Sequence, residues 1–167
     1  MALIATIASP DANSYVTEAE ATLYFAERMH SSKWDAIVDK ASSLITASRM
    51  LDWNLTFNGT PATDDQSMKF PRVDLIRMDG RSVSSTIIPL EVKYATFELA
   101  LAFADKDRSA DNSLSGIEQV KAGPLFVKAT PAGYDSTNIS LIPSHIRKIL
   151  SDFITSSGMG VVRLMRA

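Results

Sequence analysis

The chain has 167 residues, 46% of them hydrophobic and 22% charged, with a net charge of −2 and an isoelectric point near 5.7. That suits one globular domain and excludes a chain-wide basic field that would draw nucleic acid non-specifically. Cysteine is absent, which excludes disulfides, thiolate metal sites and cysteine nucleophiles together, and no apolar run reaches the ~18 residues of a membrane span.

The opening stretch, MALIATIASPDANSY, is weakly apolar and lacks a basic start, so no signal peptide is expected. Ala2 to Ile7 reads as a short strand or docking arm, broken by the turn-forming residues Pro10 to Asn13. Thr17-Glu18-Ala19-Glu20 is a capping box and predicts a helix whose apolar side is Ala19, Leu23, Ala26 and Met29. A second helix is predicted from about Asp35 to Leu51, with Ala41, Leu44, Ile45, Ser48 and Leu51 on one face. Trp34 and Trp53 flank it and are expected to close the two ends of a small core.

Residues 54–87 read as a long loop, with turn chemistry at Phe57-Asn58-Gly59-Thr60-Pro61 and Asp79-Gly80. Loops of this length are usually functional or ordered by a partner. The helix that organises the chain is predicted over Ile88 to Asp107, entered through Pro89. Val92, Ala95, Leu99 and Phe103 fall on one side of it, and Tyr94, Phe97, Leu101 and Ala104 fall almost opposite. Glu91, Glu98 and Asp105 line the strip between. A helix apolar on two sides needs two partners.

Two short runs around Gly123-Pro124 predict a β-hairpin or extended arm over 117–130. Pro143 starts a last helix with Ile146, Ile149, Leu150 and Phe153 inward, ending at Gly158. The fold class is therefore mainly α: a small bundle of about four helices with a long loop, a short β-hairpin or extended arm and a C-terminal tail. It forms one domain over 1–167, with its helical core at about 15–107 and 143–157 and the tail at 158–167.

Catalytic chemistry is not visible. The chain has no phosphate-cradling glycine loop, nucleophile elbow or HExxH helix, and His30 and His145 are not in metal-ligand spacing. The carboxylate pairs Asp64-Asp65 and Asp105/Asp107 sit in polar breaks, whereas acid–base work needs burial to shift a pKa. The expectation is a protein that is not an enzyme and uses no metal or cofactor. Lys69, Arg72, Arg77 and Arg81 either meet DNA phosphates or an acidic protein surface, or form a solvated loop balanced by Asp74 and Asp79. The Glu91, Glu98, Asp105 strip either pairs with cations of a neighbouring subunit or faces solvent.

Several segments recur in a recognisable order. They are Ser14-Tyr15-Val16-Thr17-Glu18-Ala19-Glu20-Ala21 with Tyr24-Phe25, then Trp34, then Ala41, Leu44 and Ala47. Met68-Lys69-Phe70-Pro71-Arg72, Asp79-Gly80-Arg81 and Ile88-Pro89 with Val92-Lys93-Tyr94-Ala95 follow, then Val120-Lys121-Ala122-Gly123-Pro124 and Ile142-Pro143. Together they resemble the head–tail connector (adaptor, head-completion) proteins of tailed bacteriophages, relatives of which are often labelled DnaT-like single-stranded-DNA-binding proteins.

The resemblance implies a structural subunit of a homo-oligomeric ring, commonly twelve-membered, at the head–tail junction of a virion assembled in the host cytoplasm. The portal protein would lie on one side and a stopper, tail terminator or tail tube on the other, with DNA passing through the lumen and no membrane involved. On that reading Phe70, Pro71, Arg72, Tyr94, Phe97 and Leu101, with Glu91, Glu98 and Asp105, form the subunit interface. Arg163, Leu164, Met165 and Arg166 meet the portal, and Lys69, Arg77 and Arg81 face DNA. The alternative is a single-stranded-DNA-binding module in phage replication or packaging. It rests on the loop cations and the DnaT-like label, although among the loop cations only Phe70 offers a ring for base stacking.

Overall fold

The computed structural model describes residues 2–105, 119–122, 125–128 and 141–155. The helices are α1 (Glu18–Glu27), α2 (Ser32–Asp35), α3 (Lys40–Asn54), α4 (Leu90–Asp105) and α5 (Ser144–Ile149). Short antiparallel strands β1 (Thr60–Pro61) and β2 (Arg72–Val73) pair within the long connection. Strands β3 (Gln119–Ala122) and β4 (Leu125–Lys128) form a hairpin, one of the two arrangements expected there, with Val120 opposite Val127. The protein is mainly helical, as its patterning predicts.

α1 begins where its cap requires. The Thr17 hydroxyl accepts the Glu20 N–H at 3.2 Å, and the Glu20 carboxylate accepts the Thr17 N–H at 2.8 Å. Its buried face differs from the expected one: Ala21 and Phe25 are inside, whereas Leu23 is 70% and Met29 79% exposed. The reason is area. The Phe25 ring stacks on Trp34 with centroids 4.5 Å apart, and two aromatic rings bury more surface than an alanine–leucine stripe can.

The predicted second helix is split between Asp35 and Lys40. Asp39 accepts from the Ser42 N–H at 2.9 Å and from the Ser42 hydroxyl at 2.6 Å, so it starts a new helix instead of continuing an old one. Leu44, Ile45, Ser48 and Leu51 are buried on α3 as their spacing predicts. Trp34 closes the core as expected, but Trp53 does not: it is 71% exposed. At about 100° per residue, Trp53 stands opposite Leu44 on the helix.

α4 packs against α3, α2 and α5 and is the centre of the bundle. Pro89 immediately precedes it, and the Pro89 carbonyl accepts from the Val92 and Lys93 N–H groups. Both apolar faces are occupied within the chain. Val92, Ala95 and Leu99 are fully buried. On the other side Phe97 stacks on Tyr24 of α1 at 4.9 Å, and Leu101 is buried while Tyr94 remains 41% exposed.

The long connection is not loose. Asn58 N–H donates to the Phe153 carbonyl at 2.8 Å, Thr155 N–H donates to the Thr56 carbonyl at 2.9 Å, and Phe57, Met68, Phe70 and Leu75 are buried. It is ordered by its own chain, where a partner was one expectation. Gly59 is required at the turn: its φ is +75°, and a Cβ there would lie 2.3 Å from the Val73 carbonyl oxygen. The last helix is shorter than predicted, six residues, yet Ile146, Leu150 and Phe153 all reach the core through the turns that follow it. Its predicted end at Gly158, and the 158–167 tail, lie outside the described residues.

Candidate nucleic-acid interface

Phe70, expected to anchor on a neighbouring subunit, is 1% exposed and packs edge-on against Phe57 at 4.8 Å and Tyr15 at 5.9 Å. The peptide between it and Pro71 is cis, and Pro71 is buried. Arg72 is 8% exposed and spreads its guanidinium over four main-chain carbonyls. Its Nε donates to Asn58 at 2.7 Å, Nη1 to Lys69 at 3.0 Å, and Nη2 to Gly59 at 2.6 Å and Phe57 at 3.2 Å. A rigid fork of donors suits such a staple. These side chains therefore fill the chain's own core.

The three cations expected to face DNA have local partners. The Lys69 ammonium donates to the Leu55 carbonyl at 2.8 Å, capping the end of α3, and lies 6.0 Å from the Phe57 ring centre. Arg77 pairs with Glu91 and covers the Phe153 ring at 5.2 Å. Arg81 stands at an exposed turn and pairs with Asp79 at 2.5 Å. Burial by itself would raise the Glu91 pKa, but the Arg77 guanidinium outweighs it and holds the carboxyl below its ordinary value. Glu98 receives Arg28 Nε at 2.6 Å, Arg28 Nη2 at 3.0 Å and the Tyr24 hydroxyl at 2.7 Å. Glu91 and Glu98 of the acidic strip thus serve to bind α4 to α1 and to the long connection. Asp105 is the last residue of α4, while Arg163, Leu164, Met165 and Arg166 lie outside the described residues.

What the expected site residues leave open, α3 supplies. Its exposed residues are Ser42, Trp53 and Asn54, with Thr46 and Arg49 half-buried, while Met50 packs against the core. The one carboxylate of the helix, Asp52, is turned inward at 8% exposure. Trp53 thus presents an aromatic face on the exposed side of α3. Such a ring suits an unpaired base, since every base has a face to stack. Sequence reasoning missed the exposure of Trp53 by assuming that a tryptophan closes a core. The helical period contained the contrary signal, because Trp53 lies off the Leu44, Ser48, Leu51 stripe.

A model of the family described as "Putative DnaT-like ssDNA binding protein" matches residues 1–167. The chain belongs to this family. No curated protein and no solved structure matches it. Membership in the DnaT-like family supports the alternative drawn from the sequence over its main reading, since the match gives no support to the head–tail connector resemblance. Among the described residues of this DnaT-like chain no helix is long and apolar enough to cross a membrane.

Proposed function

We propose that this DnaT-like protein binds single-stranded DNA through the exposed side of α3, with Trp53 stacking on an unpaired base. It is a binding protein without turnover. The observation that carries this reading is the 71% exposure of Trp53 on a helix side whose single acid is buried. A net charge of −2 makes stacking the main source of affinity. Few phosphates are then neutralised, and the logarithm of affinity should fall with the logarithm of salt with a slope of only about −1.

Titration of a dye-labelled oligothymidylate followed by fluorescence anisotropy tests this in wild type and variant alike, and in the wild type the exposed Trp53 is a second reporter because Trp34 is buried. Quenching is expected on binding. Trp53→Ala should weaken binding by roughly 5- to 150-fold, the equivalent of about 1–3 kcal/mol for one stacked base. Unchanged affinity in Trp53→Ala, or no binding at low salt, overturns the proposal.

A second reading keeps the head–tail connector ring that the sequence segments imply. It is favoured by the apolar side of α1, where Leu23 is exposed beside Ala19 and Ala26, and by the exposed Met29 just past its end. On this reading that side meets the next subunit in a ring between a portal and a tail-side protein, with DNA in the lumen. Native mass spectrometry with and without the portal would reveal a ring. A strict monomer indifferent to the portal would remove this reading.

A further inference from the structure

One buried group plays no part in the DNA-binding proposal. Asp52 is 8% exposed and sits where three parts of the chain meet: the N-terminal stretch 2–16, α3, and the stretch 66–72. From the first, the Tyr15 hydroxyl donates to Asp52 Oδ1. From the last, the Lys69 main-chain N–H donates to Oδ2 at 3.2 Å. Beside it, Tyr15 N–H donates to the Ser48 hydroxyl of α3 at 3.1 Å, and the Tyr15 ring meets Phe70 edge-on. The Ser67 hydroxyl completes the junction by donating to the carbonyls of Ala12 at 2.5 Å and Ser9 at 3.1 Å.

The charged groups facing Asp52 are Lys69 and Arg72 from the long connection, and the titratable one is Tyr15 from the N-terminal stretch. Neither cation pairs with it among the described residues. The Lys69 ammonium is engaged by the Leu55 carbonyl and the Arg72 guanidinium by four other carbonyls. Asp52 is therefore a carboxylate withdrawn from water and held directly only by neutral donors. Burial of a charge with no direct ion pair favours the protonated acid.

We infer that Asp52 is a proton-sensitive clasp: closing the N-terminal stretch and the 66–72 stretch over α3 takes up a proton at its carboxyl, so closure strengthens on acidification. The direction agrees with its titration, since burial pushes the carboxyl up to about 6. An unfolded aspartate titrates near 3.9. Between those two values the folded chain holds a proton that the unfolded chain has released. Stability from this group is therefore complete below about pH 4 and lost as pH rises through about 6. The other contacts act the opposite way: the Tyr15 hydroxyl first, then the Lys69 N–H and the nearby Lys69 and Arg72 charges, favour the ionised form and restrain the shift.

Urea unfolding of the wild type and Asp52→Asn, from pH 7 down to 4.5, tests the clasp, because the substituted amide keeps an acceptor for the Tyr15 hydroxyl and cannot titrate. Relative to that variant, the wild-type unfolding equilibrium constant should fall by roughly 25-fold over that range. Parallel curves overturn the inference. Should Asp52→Asn fail to fold, the carboxyl carbon-13 shift of Asp52 in the wild type gives the same answer. A midpoint near 6 is expected, moving upward in Tyr15→Phe as the hydroxyl donor is lost. A midpoint at or below about 4, or one that Tyr15→Phe leaves in place, overturns it.

Discussion

Arg72 illustrates how a charged side chain becomes structural. Its guanidinium is almost wholly buried, and desolvation lowers its pKa, yet its N–H donors meet four carbonyls that the irregular connection cannot pair in a sheet. Replacing it by alanine leaves several buried acceptors bare, each worth about 1–3 kcal/mol. Arg72→Ala should therefore lower the unfolding free energy by several kcal/mol, read by urea denaturation. Phe70→Ala should cost about 3–5 kcal/mol through the cavity it opens between Phe57, Tyr15 and Phe153. If either variant keeps wild-type stability, the side chain is not part of the monomer core. Trp53 shows the opposite case: a large ring on an ordinary helix that nothing in the described chain covers.

At the scale of elements, helix starts follow local chemistry and helix orientation does not. The Thr17 box opens α1, and Asp39 opens α3. Thr17→Ala should cost about 1 kcal/mol, measured as a fall in urea midpoint at unchanged slope. Equal midpoints would show that tertiary contacts alone hold the helix start. The rotation of α1 about its axis was not readable, because Ala19, Leu23, Ala26 and Ala21, Phe25 are both helical stripes. Stacking of Phe25 on Trp34 chose between them. The two apolar sides of α4 were readable, but not that α1 would supply the rings for the second one.

For the whole molecule, charge balance is set by internal pairs: Arg28 with Glu98, Arg77 with Glu91, and Lys93 with Glu20 at 2.6 Å. Lys93 and Arg77 outweigh burial and lower Glu20 and Glu91. Those pairs contribute stability above the ordinary glutamate value and lose it as pH falls through the lowered values. Asp52 has the opposite sign. Thermal melting across pH should therefore show greatest stability at mildly acid pH, about 5, with a decline toward 7 and a steeper one below 4. A maximum at or above pH 7 would mean that Asp52 does not govern the profile. The DNA-binding proposal fits the same balance, since pairs within the chain leave little net positive field and put the weight on stacking.

Residue order alone determined the mainly helical class, the cap at Thr17, the buried stripe of α3 and the double apolar face of α4, and narrowed residues 117–130 to a hairpin or an extended arm. All of these rest on periodicity or on contacts a few residues apart, which a chain carries wherever it is placed. Tertiary structure alone decided that residues 54–87 fold onto their own core, that the loop cations cap carbonyls and pair with local acids, that Asp52 is sealed beneath Tyr15, and that Trp53 stands free of the core. Each of those depends on residues brought together from distant parts of the chain, such as Asn58 against Phe153 and Tyr15 against Asp52. No local pattern records which partner will arrive, because burial is a property of the neighbours as much as of the residue.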